Sequence, residues 1–415
     1  MPAALTFPGV YLQEVPSGVR TITGVATSIT AFVGRAAAGP IDDPQMLTSY
    51  ADYERQFGGL DVACPMSYAV RDFYLNGGAL ALVVRVAHED ASTAKITLTA
   101  GGGGSPSADL VLEASSAGAW GNRLSAAADH DTDRTLPRTS PPSVDEQRFD
   151  LAVRYRPRAG RDEFVLETFG AVSTDPGDPR FLPTVLERES AYVRVSAMPG
   201  LRPLSTVSQV GSTRTIDWVD ADADSGSDGG PLQDEDVIGE QAPKTGIYAL
   251  NRVDLFNLLC IPPLARDVAT LPSDYTPASA SIYQAALALC VERRAMLIVD
   301  PDPAWGLPVD RAVDNAIDGR NDLGLTGPAA RNAALYFPAV RMVDPLRDSR
   351  VDTFVPSGII AGVIARTDVQ RGVWKAPAGL EATLNGVSAL SVSLTDPENG
   401  ELNPLGVNCL RSFPV

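Results

Sequence analysis

The sequence predicts an α/β (mixed α+β) fold: an α/β core domain built from N- and C-terminal segments, with an inserted β-rich domain and an extended N-terminal arm. Three observations predict it. Strand-like and helix-like segments alternate before about residue 90 and again after about residue 245, the rhythm of βαβ units. Between them the pattern changes to short strands of alternating polarity. The first apolar stretch, FPGVYLQEVPSG (7–18), reads as a strand between Pro-Gly and Pro-Ser-Gly punctuation, with no turn dipeptide to fold a hairpin partner back onto it.

The bulk numbers are compatible with that division. A chain of 415 residues suggests roughly two or three domains, and 44% hydrophobic against 20% charged residues is an ordinary globular balance. The net charge of −17 argues against a general nucleic-acid surface, which needs clustered Lys and Arg, and suits a basic partner surface. Lysine occurs only at Lys95, Lys244 and Lys375, so nearly all positive charge is arginine; a GC-rich genome is the plainer account and arginine-rich interfaces the sharper one. Cys64, Cys260, Cys290 and Cys409 have no C-x-x-C spacing, and Cys260 and Cys290 lie in apolar segments, so buried free thiols are expected. The start, MPAALTFPG, lacks the basic flank and apolar core of a signal peptide, and no run of about 18 apolar residues is present.

Along the chain, a Gly/Thr-rich connection leads to a buried strand at Ile29–Gly34. Ser49 opens a short helix that Gly58-Gly59 closes. A second helix follows Pro65, with Ala69, Val70, Phe73 and Tyr74 on one face and Asn76-Gly77-Gly78 as its stop. LALVVRV (80–86) is a near-continuous apolar strand of the kind buried on both faces. AKITLTA, ADLVLEA, FDLAVRYR, EFVLETF and AYVRVSA then read as alternating strands, with GGGGSPS as a hairpin loop. Residues 211–244 are polar and acidic and read as an exposed loop. Beyond them, LFNLLCI (255–261), AMLIVD (295–300) and AALYFP (333–338) are apolar strands. Between the first two, Ile282, Ala285, Ala286, Leu289 and Cys290 form one helical face, completing a βαβ unit.

The catalytic inventory is thin. Of the two histidines, His88 ends a strand beside Glu89 and Asp90, which cannot all point toward one metal from an extended chain, and His130 sits in the acidic loop DHDTDR and reads as solvated. No G-x-S-x-G, P-loop, H-E-x-x-H or G-x-G-x-x-G occurs. Asp220, Asp222 and Asp224 have the 1-3-5 spacing of a calcium loop, but Ser225 stands where the turn glycine belongs and Pro231 where the bidentate glutamate belongs; a solvated loop is the better reading. Asp300 and Asp302, in IVDPDP, lie at the tip of a buried strand, where α/β enzymes place ligands. They carry the alternative function, a metal-dependent hydrolase with a β-rich binding insertion.

The longer segments resemble contractile tail sheath proteins, those of phage tails and of phage-tail-like contractile injection particles. The resemblance lies in PGVYLQEVPSGVRTITGVATSITAFVGRAAAGP with LTSYADYERQFGG and AVRDFYLNGGALALVVRV; in GAWGNRL, ETFG and SAYVRV within the insertion; and in LFNLLCIP, CVERRAMLIVDPDPAW, NAALYFP, DTFVPSGIIAGVIARTDVQRGVWKAPAG and GVSALSVSLTDPENGELNPLGVNCLRSFP. It implies a structural subunit and no enzyme, with no cofactor and no metal. Such subunits form stacked hexameric rings around an inner tube and contract to drive the tube through a target envelope. The partners implied are neighbouring copies, the inner tube, and baseplate and terminator or cap proteins, with no nucleic acid and no membrane insertion. The setting implied is the bacterial cytoplasm during assembly, then a phage virion or tail-like particle that lysis can release.

The resemblance also orders the chain. Residues 1–26 become an arm and linker for intersubunit strand addition, with Val10, Tyr11, Leu12, Gln13, Glu14 and Val15 as the pairing strand and Gly18 and Gly24 as its hinge. Residues 27–90 and 245–415 form the core domain, 91–210 an inserted, outward-facing β-rich domain, and 211–244 the acidic loop. Relatives continue past the SFP motif, so the strand GVNCLRSF is expected to have a sheet edge unpaired within this chain or to be poorly ordered.

Overall fold

The computed structural model describes residues 27–100, 109–130, 147–157, 164–210, 213–270 and 272–413. The expected arm strand Val10–Val15 and the hinge residues Gly18 and Gly24 lie outside the described residues. The helices are α1 (Tyr50–Phe57), α2 (Pro65–Leu75), α3 (Leu182–Glu189), α4 (Asp234–Ile238), α5 (Ala280–Arg293), α6 (Ala312–Asp322), α7 (Ser357–Arg371) and α8 (Asp396–Leu402).

The chain forms a mixed α+β fold around a seven-stranded sheet. Its order is Gln45–Leu47, Ala81–Arg85, Thr30–Gly34, Leu258–Cys260, Met296–Val299, Ala333–Phe337 and Val407–Cys409. Every pairing is parallel except that of Gln45–Leu47 with Ala81–Arg85. Thr30 pairs with Ala81 on one side and with Leu258 on the other, so segments more than 200 residues apart in sequence share one hydrogen-bond ladder. Both faces are covered, which is why these strands read as continuous apolar runs. Ala31, Val33, Leu82, Val84, Leu259 and Leu297 face one way, against α5 and α6. Phe32, Val83, Leu258, Cys260 and Ile298 face the other way, against α2 and α7. The period of two along each strand sorts the two cores.

Local signals explain the helix limits. The Ser49 hydroxyl accepts the Asp52 N–H at 3.2 Å, and Gly58 closes α1 in the left-handed region at φ 89°. Thr395 and Glu398 form a capping box at the start of α8. Against α2, α7 packs backbone to backbone through glycine. A Cβ on Gly358 would stand 2.1 Å from the Ala69 carbonyl oxygen, and one on Gly362 would stand 2.5 Å from the Phe73 carbonyl oxygen.

The β-rich module holds two antiparallel sheets. One is Lys95–Leu98, Leu110–Ala114 and Val193–Ala197; the other is Val219–Asp220, Leu124–Asp129, Arg148–Tyr155 and Val165–Ser173. Ile96, Leu112, Trp120, Phe149, Leu151 and Leu186 fill a core of their own between them. Arg35, just after the strand Thr30–Gly34, anchors the return of the chain: its guanidinium donates to the carbonyls of Asp228, Gly229 and Gly230 at 2.8, 2.9 and 3.2 Å.

Residues 211–244, expected as an exposed loop, contain Thr213–Ile216 paired with Val207–Val210, the strand Val219–Asp220, and α4, whose Val237 enters the large core. Acidic composition hid these elements because the apolar anchors are single residues. A further small sheet (Arg350–Phe354, Val340–Asp344, Val387–Leu390) packs Val340, Met342 and Phe354 onto Tyr68, Ile359 and Val363.

Candidate functional site

Asp300 and Asp302 do not form a site together. Asp300 follows the strand Met296–Val299 and is 5% exposed. Its Oδ1 accepts the Ser357 N–H at 2.8 Å, so it caps the start of α7 from beneath, and its Oδ2 has no partner. Burial pushes the carboxyl up to about 7 against the opposing pull of Ser357. Asp302 instead accepts the Ala304 N–H at 2.8 Å and lines a cavity of about 450 Å³ with Asp274, Tyr275, Arg341 and Ser391, which Asp300 does not reach. Proline after each aspartate turns the chain between them, so the two carboxylates serve separate turns. The hydrolase reading has no support in this geometry.

The other candidates also disperse. His88 Nδ1 lies 2.9 Å from the Asp236 carboxylate, which raises its pKa; His130 Nε2 lies 2.7 Å from the Pro203 carbonyl oxygen. Asp220 accepts the Ser125 hydroxyl at 2.8 Å, and Asp222 lies 3.4 Å from the Thr97 hydroxyl. Among the described residues no group of three or more His, Cys, Asp or Glu side chains could hold a metal ion. The four cysteines are free; Cys64, Cys260 and Cys290 are buried, and burial pushes the Cys290 thiol up to about 12.

The densest polar constellation is one that sequence reading missed. The Arg266 side chain is fully buried and donates to Asp344 and Asp352, each at 2.8 Å, with its guanidinium 4.5 Å from the Phe354 ring centre. The Tyr68 hydroxyl donates to Asp344 at 2.9 Å, Arg347 reaches Asp352 at 2.8 Å, and Ser273 donates its N–H to Asp352 at 3.0 Å. Burial would raise the Asp352 pKa, but the bonds from Ser273, Thr353 and Arg266 hold it down at about 2. The network ties the hairpin Ala265–Asp267/Asp274–Thr276 to the small sheet and to α2. Both terminal nitrogens of Arg266 are answered by carboxylates while its Nε–H has no partner, and the ion pairs join three elements, so the network works as a fastening. The only sequence signal was charge inside short strands such as RVDTF (Arg350–Phe354).

The sheet perimeter is open to contact. Among the described residues, the strands Gln45–Leu47 and Val407–Cys409 each have one paired side and one open side. Val407–Cys409 thus sits at the edge expected of the GVNCLRSF segment, joined only to Ala333–Phe337.

No protein-family model matches the sequence, and no curated protein matches it. Solved structures do match. A sheath tail protein from Listeria innocua superposes with a TM-score of 0.57 at 15% identity, over 94% of this chain and 67% of that one. A sheath tail protein from Desulfitobacterium hafniense superposes with a TM-score of 0.50 at 12% identity, over 98% and 72%. The anti-feeding prophage helical sheath in its contracted state aligns at 18% identity over 99% of this chain and 66% of its own, with a TM-score of 0.44. This chain spans about two thirds of the length of these structures. At such identities the likeness is one of fold, and the fold is that of sheath tail proteins.

Proposed function

We propose that this chain is a structural subunit of a contractile tail sheath. Copies polymerise as stacked hexameric rings around an inner tube, and contraction of the stack drives the tube through a target envelope. The observation that carries the reading is the fold likeness to the Listeria innocua sheath tail protein over 94% of the chain, the β-rich insertion included. Chemistry agrees with it: the buried carboxylates and arginines fasten elements together, and the function asks for no catalytic group.

In this reading residues 1–26 are the arm. Val10 to Val15 add as a strand to a neighbouring copy, and Gly18 and Gly24 let the bodies rotate while the arm stays docked. The open edges at Gln45–Leu47 and Val407–Cys409 are the kind of surface that accepts an added strand. The module at 91–210 faces outward, away from the tube. The remaining partners are the inner tube protein, the baseplate and a terminator or cap protein. Assembly takes place in the bacterial cytoplasm, and the product is a phage tail or a tail-like particle. No helix among the described residues is long and apolar enough to cross a membrane.

Negative-stain microscopy of the purified protein tests the reading. Tubes or stacked rings are expected as concentration rises. Single compact particles at every concentration and ionic strength would count against it.

A further inference from the structure

The most exposed large apolar side chain among the described residues is Trp374, at 85%. Val369, Val373 and Leu380, its neighbours in sequence, are also exposed. The indole is bare over most of its surface. It lies back over Gly372, where φ is +90° and a Cβ would stand 2.3 Å from the ring. A large exposed aromatic of this kind is the usual anchor of an interface.

Beside it, the last turns of α7 and the loop after it enclose a shallow basin of about 230 Å³, lined by Arg366, Arg371, Lys375 and one acid, Glu381. Arg371 and Glu381 are 3.6 Å apart and both mostly exposed, so this pair neutralises little. Lys375 makes no ion pair among the described residues. The basin is therefore basic, on a chain whose net charge is −17. The C-terminal end of α7 adds its negative dipole end beneath, which helps to gather the cations there.

The complementary surface is on the same chain. Asp217, Asp220, Asp222 and Asp224 are exposed, and no Lys or Arg occurs between Arg214 and Lys244. This ridge is fixed to the β-rich module: the Ala221 N–H donates to the Leu124 carbonyl at 3.0 Å, and the Asp222 N–H to the Lys95 carbonyl at 2.7 Å. It also presents apolar surface for an indole, since Ile216 is 38% exposed and Trp218 is half-buried under Arg154.

We propose that the Trp374 basin of one copy receives the Asp217–Asp224 ridge of a second copy. The two surfaces belong to different parts of the chain, so the contact is head-to-tail and repeats from copy to copy. Trp374 covers the apolar part of the ridge, and Arg371 and Lys375 face Asp222 and Asp224. The contact rests on the self-assembly reading above and names one of its interfaces.

Sedimentation velocity on the whole chain tests it, with two double variants: Arg371→Glu with Lys375→Glu, and Asp222→Lys with Asp224→Lys. All four positions lie at the surface, and a thermal melt checks that both proteins fold. At low salt the parent associates, and each double variant associates about tenfold more weakly or less. Mixing the two variants in equal amounts restores association, because each supplies the partner surface that the other needs. Parent association is expected to weaken at high salt. If the parent assembles and either variant assembles equally well, or the mixture shows no recovery, this contact is wrong and the sheath reading stands. If the parent stays monomeric at every concentration, both fall.

Discussion

At the scale of single residues, burial gives two kinds of charge opposite effects on stability. Arg266 pairs with two buried carboxylates through its terminal nitrogens, and removing it leaves Arg347 as the one cation that still reaches them among the described residues. Arg266→Met is expected to cost about 3–5 kcal/mol, read from the midpoint of chemical denaturation. A loss below about 1 kcal/mol, the range of exposed pairs, would mean that the network is solvated in the folded protein. Asp300 is the reverse case, because one of its oxygens has no partner. Its folded-state pKa of about 7 lies above the unfolded value near 3.9, so the folded chain holds a proton that the unfolded chain has lost. Stability should therefore fall as pH rises from about 4 through 7 and level off above, by at most about 4 kcal/mol. Asp300→Asn keeps an acceptor for the Ser357 N–H. It should flatten that decline and leave the protein at least as stable as the parent at pH 8 in urea melts. An unchanged pH slope would remove Asp300 from the account.

At the scale of elements, the contact that depends most on residue size is α2 against α7. The sequence SGIIAG places Gly358 and Gly362 four residues apart, on one face of α7. Both lie where a methyl group would strike the carbonyls of Ala69 and Phe73. Neither glycine is needed for its φ, so the requirement is space alone. Gly358→Ala should destabilise by about 1–3 kcal/mol although alanine is the better helix former. A stabilised variant, the outcome helix propensity alone would give, would show that the helices can move apart without loss. Helices α1 and α2 were legible beforehand: Ser49 with Gly58-Gly59, and Pro65 with Asn76, mark their ends as the structure has them, whereas α7 was not read as a helix. The pairing of α2 with α7 was not legible, because glycine in a helical pattern signals close approach without naming the partner.

At the scale of the whole molecule, the seven-stranded sheet is self-supporting within residues 27–413: its strands pair with one another, and both faces are covered by helices of the same chain. Deleting residues 1–20 should therefore leave a folded monomer with an unchanged melting midpoint, and should abolish assembly into tubes or rings. A deletion that unfolds the protein would assign the segment to its own subunit's core. One that still assembles would show that the arm is dispensable.

Sequence alone determined the alternation of elements. Apolar runs, caps and glycine stops are local, and their physics acts over a few residues. It therefore located Thr30–Gly34, Ala81–Arg85, α2, α5 and Met296–Val299, and it marked the change of pattern where the β-rich module begins. It also flagged Asp300 and Asp302 as neighbours at a strand tip. Only the tertiary structure decided that these two point apart, one under α7 and the other into a surface cavity. Only the tertiary structure brought Arg266, Asp344 and Asp352 together. Side chains separated by 78 and 86 residues meet because two hairpins are folded against α2, and no local pattern encodes that meeting. The same holds for the ladder joining Thr30 to Leu258: period and polarity specify a strand, but which strand lies beside it is settled by the packing of all the layers at once.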